Sequence, residues 1–97
     1  MRQDYGQEKY NKIADQIIKQ QELVIGPVAW EEAKKVSGLS IKEQNVRING
    51  DVKKVLAALV NQYAKLFGRA SVEVCKEAFS AVADKINSSE VPDILKN

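Results

Sequence analysis

Residues 51–68, DVKKVLAALVNQYAKLFG, decide how the rest of the chain is read. Val52, Val55, Leu56, Leu59, Val60, Tyr63, Leu66 and Phe67 recur at i, i+3, i+4, i+7, i+8, i+11, i+14 and i+15, one continuous stripe at the 3.6-residue period of an α-helix. Strand alternation does not fit it. Both ends are marked. The Asp51 carboxylate is placed to accept from the free N–H groups of the first turn. Gly68 stands where a left-handed residue commonly closes a helix, and Asn49-Gly50 upstream is a turn signal. Ala57, Ala58 and Ala64 raise helix propensity and admit a close neighbour. Full burial of each large apolar side chain contributes roughly 1.5–3 kcal/mol. A lone helix cannot bury such a stripe, so the flanking segments must supply the opposing surface.

Upstream, Tyr10, Ile13, Ala14, Ile17, Ile18 and Gln21 fall at helical spacing and predict a first helix over about 7–23, beginning after Gly6. Leu23-Val24-Ile25 is too short to classify and is either the helix end or an extended stretch. Gly26-Pro27 breaks the chain, because proline disfavours helix before it and suits the first position of a new one. A short second helix over 27–36 follows, with Glu31 and Glu32 early and Lys34 and Lys35 late, as the helix dipole prefers. Trp30, Ala33 and either Val36 or Leu39 face inward on this reading, and Ser37-Gly38 ends the helix. Between Leu39 and Gly50, Leu39 and Ile41 alternate with Ser40 and Lys42, and Val46 and Ile48 with Arg47 and Asn49. Two outcomes stand open: a small hairpin with Gln44 and Asn45 at or near its turn, or a loop pinned by apolar anchors.

Downstream, Gly68-Arg69-Ala70 reads as a joint, Ser71 as a cap, and 71–87 as a fourth helix with the seam Val72, Cys75, Phe79, Val82 and Ile86. So short a joint predicts that the third and fourth helices are near-antiparallel neighbours. Ser88 to Asp93 is a polar break, after which Ile94 and Leu95 suggest that the tail docks. The expected fold is all-α: a single helical domain over 1–97, a small bundle of four main helices (about 7–23, 27–36, 51–67 and 71–87) with an irregular or short β-like connection at 39–50.

Composition narrows the function classes. The chain has 97 residues, 44% of them hydrophobic and 29% charged, which is ordinary for a globular domain. Its formal net charge of +2 is uneven: between residues 36 and 69 six basic residues face two acidic ones. That local excess attracts an acidic partner weakly and falls short of a committed nucleic-acid binder. There is no histidine, which removes Ser-His-Asp and Cys-His catalysis and nearly all zinc sites. Cys75 is the single cysteine, so no intrachain disulfide or cysteine metal pair exists. It lies on the apolar seam and reads as a small buried hydrophobe. Glu31/Glu32 and Glu73/Glu77 read as solvated helix faces rather than acid–base pairs. Gly26-Pro27 and the stretch from Gly50 to Lys54 lack P-loop spacing, although Lys53 and Lys54 sit on a first helical turn where anions bind. Ala33–Ser40 has a superficial likeness to the middle of a helix-turn-helix, but the next clear helix begins only at Asp51. The first helix mixes Lys9, Lys12 and Lys19 with Glu8, Asp15 and Glu22, which does not suit an anionic membrane. The polar Met1–Lys12 segment is unlike a signal peptide and no apolar run approaches a membrane span, so a cytoplasmic setting is expected.

These exclusions leave a non-catalytic protein–protein interaction or regulatory module, expected to self-associate because more apolar stripe is present than the chain obviously needs. No catalytic, cofactor-binding or metal-ligating residue is expected. The alternative is a nucleic-acid-binding protein using the basic 42–69 section, with Lys42, Arg47, Lys53, Lys54 and Arg69 as candidate contacts to an acidic partner or phosphate. A third reading is a small-molecule sensor with a pocket lined by Trp30, Tyr63, Phe67 and Phe79.

Overall fold

The computed structural model describes residues 3–81 together with Val91, Pro92 and Leu95. Its elements run α1 (Gln3–Ile25), α2 (Val28–Ala33), β1 (Leu39–Lys42), β2 (Asn45–Ile48), α3 (Val52–Phe67) and α4 (Arg69–Ser80). The protein is mostly helical with one short antiparallel hairpin, so the helical expectation holds in outline, and of the two outcomes left open at 39–50 the β-like one is found; the fold is not a pure bundle.

The helix α3 forms where the stripe places it. Asp51 Oδ1 accepts from the Lys54 N–H at 3.1 Å, the N-cap bond its position implies. Val55, Leu56, Leu59, Val60 and Tyr63 are buried. Leu66 and Phe67, which the stripe assigns to the core, remain exposed at the end of the helix. Gly68 has the positive φ of 81° that glycine tolerates, but its ψ of −167° carries the chain directly into α4 rather than into a left-handed cap. The joint is therefore one residue and not Gly68-Arg69-Ala70. Ser71 does not cap α4; it lies two residues inside the helix and is buried.

The helix α1 is longer than its apolar spacing suggests. It includes Gly6 and continues through Leu23-Val24-Ile25, and the Gly26 N–H closes it on Glu22 O at 2.9 Å. All six side chains of its predicted stripe are buried, Gln21 included. They are covered from within the chain by α4, β2 and α2, so the first helix carries no unpartnered face along this stripe. The α4 face that turns inward is Ser71, Cys75 and Ala78, with Val72 and Phe79 half-buried beside it. Val82 and Ile86 of the expected seam, and Ile94 of the tail, lie outside the described residues. Of the tail, the described Val91 and Leu95 are buried in the core. The helix α2 stops at Ala33; beyond it Lys35 and Val36 make tighter bonds to residues three back, as a chain turning towards Gly38 requires.

The hairpin pairs Leu39 with Ile48, Ser40 with Arg47, Ile41 with Val46 and Lys42 with Asn45. Its turn is Glu43-Gln44, both with positive φ (51° and 68°), and Asn45 belongs to β2 rather than to the turn. That backbone matches the right-handed twist of two-residue hairpins, though neither residue is a usual occupant. A lone hairpin is marginal in water, and this one persists because it is anchored. Leu39 and Ile48 are buried in the common core. The Ile48 N–H donates to Asn11 Oδ1 of α1 at 2.8 Å, and the Asn49 N–H donates to Gly38 O at 2.7 Å.

Candidate functional site

With Leu39 and Ile48 facing the core, the opposite face of the hairpin carries Ser40, Lys42, Asn45 and Arg47. Side chains of this face, with Val46, and one flank of α1 border an open groove of about 610 Å³. The helical wall is Glu8, Asn11, Lys12, Asp15 and Lys19, which recur at helical spacing. The strand wall is Ser40, Lys42, Asn45, Val46 and Arg47, with Gln44 at the turn. Lys42 and Arg47 are diagonal neighbours across the strands, a separation of about 7–8 Å between backbones.

The charges of the groove are unequal. Lys19 Nζ lies 3.0 Å from Asp15 Oδ2. The other Asp15 oxygen, Oδ1, is buried and has no hydrogen-bond partner among the described residues. Lys12, Lys42 and Arg47 make no ion pair among those residues. Glu8 is the groove's other carboxylate.

Of the five basic residues singled out from the sequence, only Lys42 and Arg47 come together here. Lys53 and Lys54 are exposed on the first turn of α3. Arg69 opens α4 beyond the far end of that helix, about 20 Å from Lys54 at 1.5 Å per residue. The basic section is continuous in sequence and dispersed in space. Lys12, Asp15 and Lys19 were the residues missed. Their helical spacing was visible, but nothing in it shows that a hairpin lies across that flank.

A second feature is apolar. Tyr63 donates from its hydroxyl to Ala29 O at 2.6 Å, which ties the last turns of α3 to the start of α2. Gln21 Nε2 donates to Ser71 O at 2.9 Å, which ties the end of α1 to the start of α4. Four helix ends therefore meet at one pole. Leu23 and Val24 of α1, Val28 of α2, and Leu66 and Phe67 of α3 are all exposed there, Leu23 by 81%. Arg69 and Lys65 are exposed on the same pole. The last turn of α1 carries no basic residue to offset its carbonyl end.

The remaining polar groups of the interior serve packing. Cys75 is buried, accepts from Gln21 Nε2 at 3.3 Å, and is pushed up to about 11 by burial, so the thiol is neutral near physiological pH. Burial likewise pushes the Tyr63 phenol well above its ordinary value. Glu32 is held below the usual carboxylate range by its hydrogen bonds from Gln62, at 2.8 Å, and Lys35. Trp30 is buried and donates from Nε1 to Glu22 Oε1 at 2.9 Å. No helix among the described residues is long and apolar enough to cross a membrane. No family model, no curated protein and no solved structure matches the chain.

Proposed function

We propose that the protein is a non-catalytic interaction module that self-associates through the pole where α1, α2, α3 and α4 meet. The observation that carries this reading is the gathering of Leu23, Val24, Val28, Leu66 and Phe67, exposed together at one end. Isolated exposed apolar residues need no explanation, whereas five of them on helix ends that come together suit a contact surface. A second copy is the occupant favoured by charge. Arg69 and Lys65 are exposed on the rim, and the last turn of α1 carries no basic residue. In a two-fold pairing the cations of each copy face the helix end of the other, twice over.

Mass in solution tests this directly. Light scattering across a dilution series should report a dimer that dissociates on dilution, and Leu23→Glu with Phe67→Glu should return a monomer with an unchanged circular dichroism spectrum. A wild-type protein that stays monomeric at the highest concentration sinks the reading. The same holds if the double variant dimerises as the wild type does.

A further inference from the structure

Asn49-Gly50 joins the hairpin to α3, and neither residue belongs to the apolar pole or lines the groove. We propose that Asn49 is a site of spontaneous deamidation whose isoaspartyl product loosens the hairpin from α3. The reaction requires the Gly50 amide nitrogen to reach the side-chain carbonyl carbon of Asn49. Both residues are exposed. The Gly50 N–H donates to no acceptor among the described residues, so no hydrogen bond has to break before that nitrogen reacts. Glycine has no side chain to shield its nitrogen, and nothing lies within 4 Å of the point where a Cβ would stand at Gly50. The other described asparagines differ. Asn11, Asn45 and Asn61 are followed by Lys12, Val46 and Gln62, and each stands within a helix or strand.

The only reagent is solvent water. The Gly50 nitrogen, having lost its proton to solvent, bonds to Asn49 Cγ. The Cγ–Nδ2 bond breaks, and Nδ2 takes a proton from solvent and leaves as ammonia. A succinimide ring now joins the two residues. Water opens it at either carbonyl carbon. Addition at Cγ breaks the new N–C bond and leaves aspartate. Addition at the main-chain carbon breaks the original peptide bond and leaves isoaspartate. The backbone then runs through Cβ and Cγ, and the former main-chain carbonyl is a free carboxylate. That product fits the fold poorly. The Asn49 carbonyl oxygen lies 3.0 Å from the point where a Cβ on Gly38 would stand, and Val55 Cγ2 lies 2.7 Å from the same point. A carboxylate formed there sets a charge beside the buried Val55, which is unfavourable without a partner. The added backbone atom also lengthens the chain ahead of Asp51, whose carboxylate caps α3. One contact restrains the reaction: Asn49 Nδ2 donates to Ser40 Oγ at 2.8 Å, which holds the leaving amide over β1.

The full chain, incubated in mildly alkaline buffer, is digested and read by mass spectrometry, with isoaspartate separated from aspartate at each asparagine. Asn49 should exchange its amide for a carboxyl faster than Asn11, Asn45 and Asn61, and should yield both products. Ser40→Ala should speed the conversion about two- to tenfold, the rate equivalent of one ordinary hydrogen bond. Asn49→Gln, whose longer side chain must close a larger ring, should convert far more slowly. The isoaspartyl fraction, isolated by ion exchange, should melt below the Asn49→Asp variant. Four results overturn the proposal: Asn49 converting no faster than the other three asparagines, aspartate alone at position 49 (direct hydrolysis without a ring), no acceleration by Ser40→Ala, or an isoaspartyl fraction that melts with Asn49→Asp. The comparison among the four asparagines uses the wild-type chain and depends on no variant folding. A failure here leaves the dimer at the pole untouched, since that contact is read from light scattering.

Discussion

Cys75 shows how burial sets the chemistry of a single residue. Its thiol would ionise near 9 in an unfolded chain and does so only near 11 in the fold. Below pH 9 the folded and unfolded chains both hold the proton, and stability is unaffected by this group. Between 9 and 11 the unfolded chain releases its proton while the fold keeps it, so stability falls as pH rises through that window. Near neutral pH, iodoacetamide should therefore alkylate Cys75 very slowly in the native protein and readily once denaturant opens it; rapid labelling without denaturant would show that the α1–α4 seam opens easily. The buried character of Cys75 was legible from its place on an apolar seam. Its partner was not, because Gln21 lies 54 positions away in the chain. Gln21 also shows the limit of reading polarity as exposure. It falls on the first helix's stripe and is fully buried, with Nε2 bonded to α4.

At the scale of the element, the hairpin depends on the close approach of Gly38 to α3. A Cβ at that position would lie 2.7 Å from Val55 Cγ2 and 3.0 Å from Asn49 O, at a φ of +87° that L-residues rarely adopt. Gly38→Ala should cost about 2–4 kcal/mol, combining a left-handed backbone with an overpacked contact. Urea denaturation measures it, and the amide signals of 39–48 should shift most. A loss below about 0.5 kcal/mol, as for an uninvolved surface site, would show that the hairpin is free to move off α3. The strand alternation of 39–42 and 45–48 was visible in the sequence, and so were the ends of α3. The choice between hairpin and loop was not. Neither Glu43 nor Gln44 is a turn residue by type, and the bond from Ile48 to Asn11 that helps to hold the strands comes from another element.

At the scale of the whole molecule, the centre of the fold is α1 and not α3. The helix α1 packs against α2, β2 and α4, and α3 meets α4 and α2 on its own face. Leu59 is fully buried in that second contact surface, so Leu59→Ala should cost about 2–5 kcal/mol in urea unfolding. A cost under about 1 kcal/mol would place the α3 stripe outside the cooperative core. The chain is compact, with a radius of gyration of 12.1 Å, and the apolar surplus that suggests self-association has moved. It does not lie along the first helix, which is covered, but at the pole formed by helix ends. What the amino-acid order determined by itself was local: the helical periods, the Asp51 cap, the break at Gly26-Pro27, and the exclusion of histidine chemistry. These follow from backbone geometry and residue type within a few positions. Only the tertiary structure decided which faces meet. It brought Lys12 and Asp15 opposite Lys42 and Arg47, separated Arg69 from Lys54 by the length of a helix, and left Leu66 and Phe67 in solvent. Helical and strand periods show that a side chain belongs to a face, but what covers that face depends on contacts between residues distant in the chain.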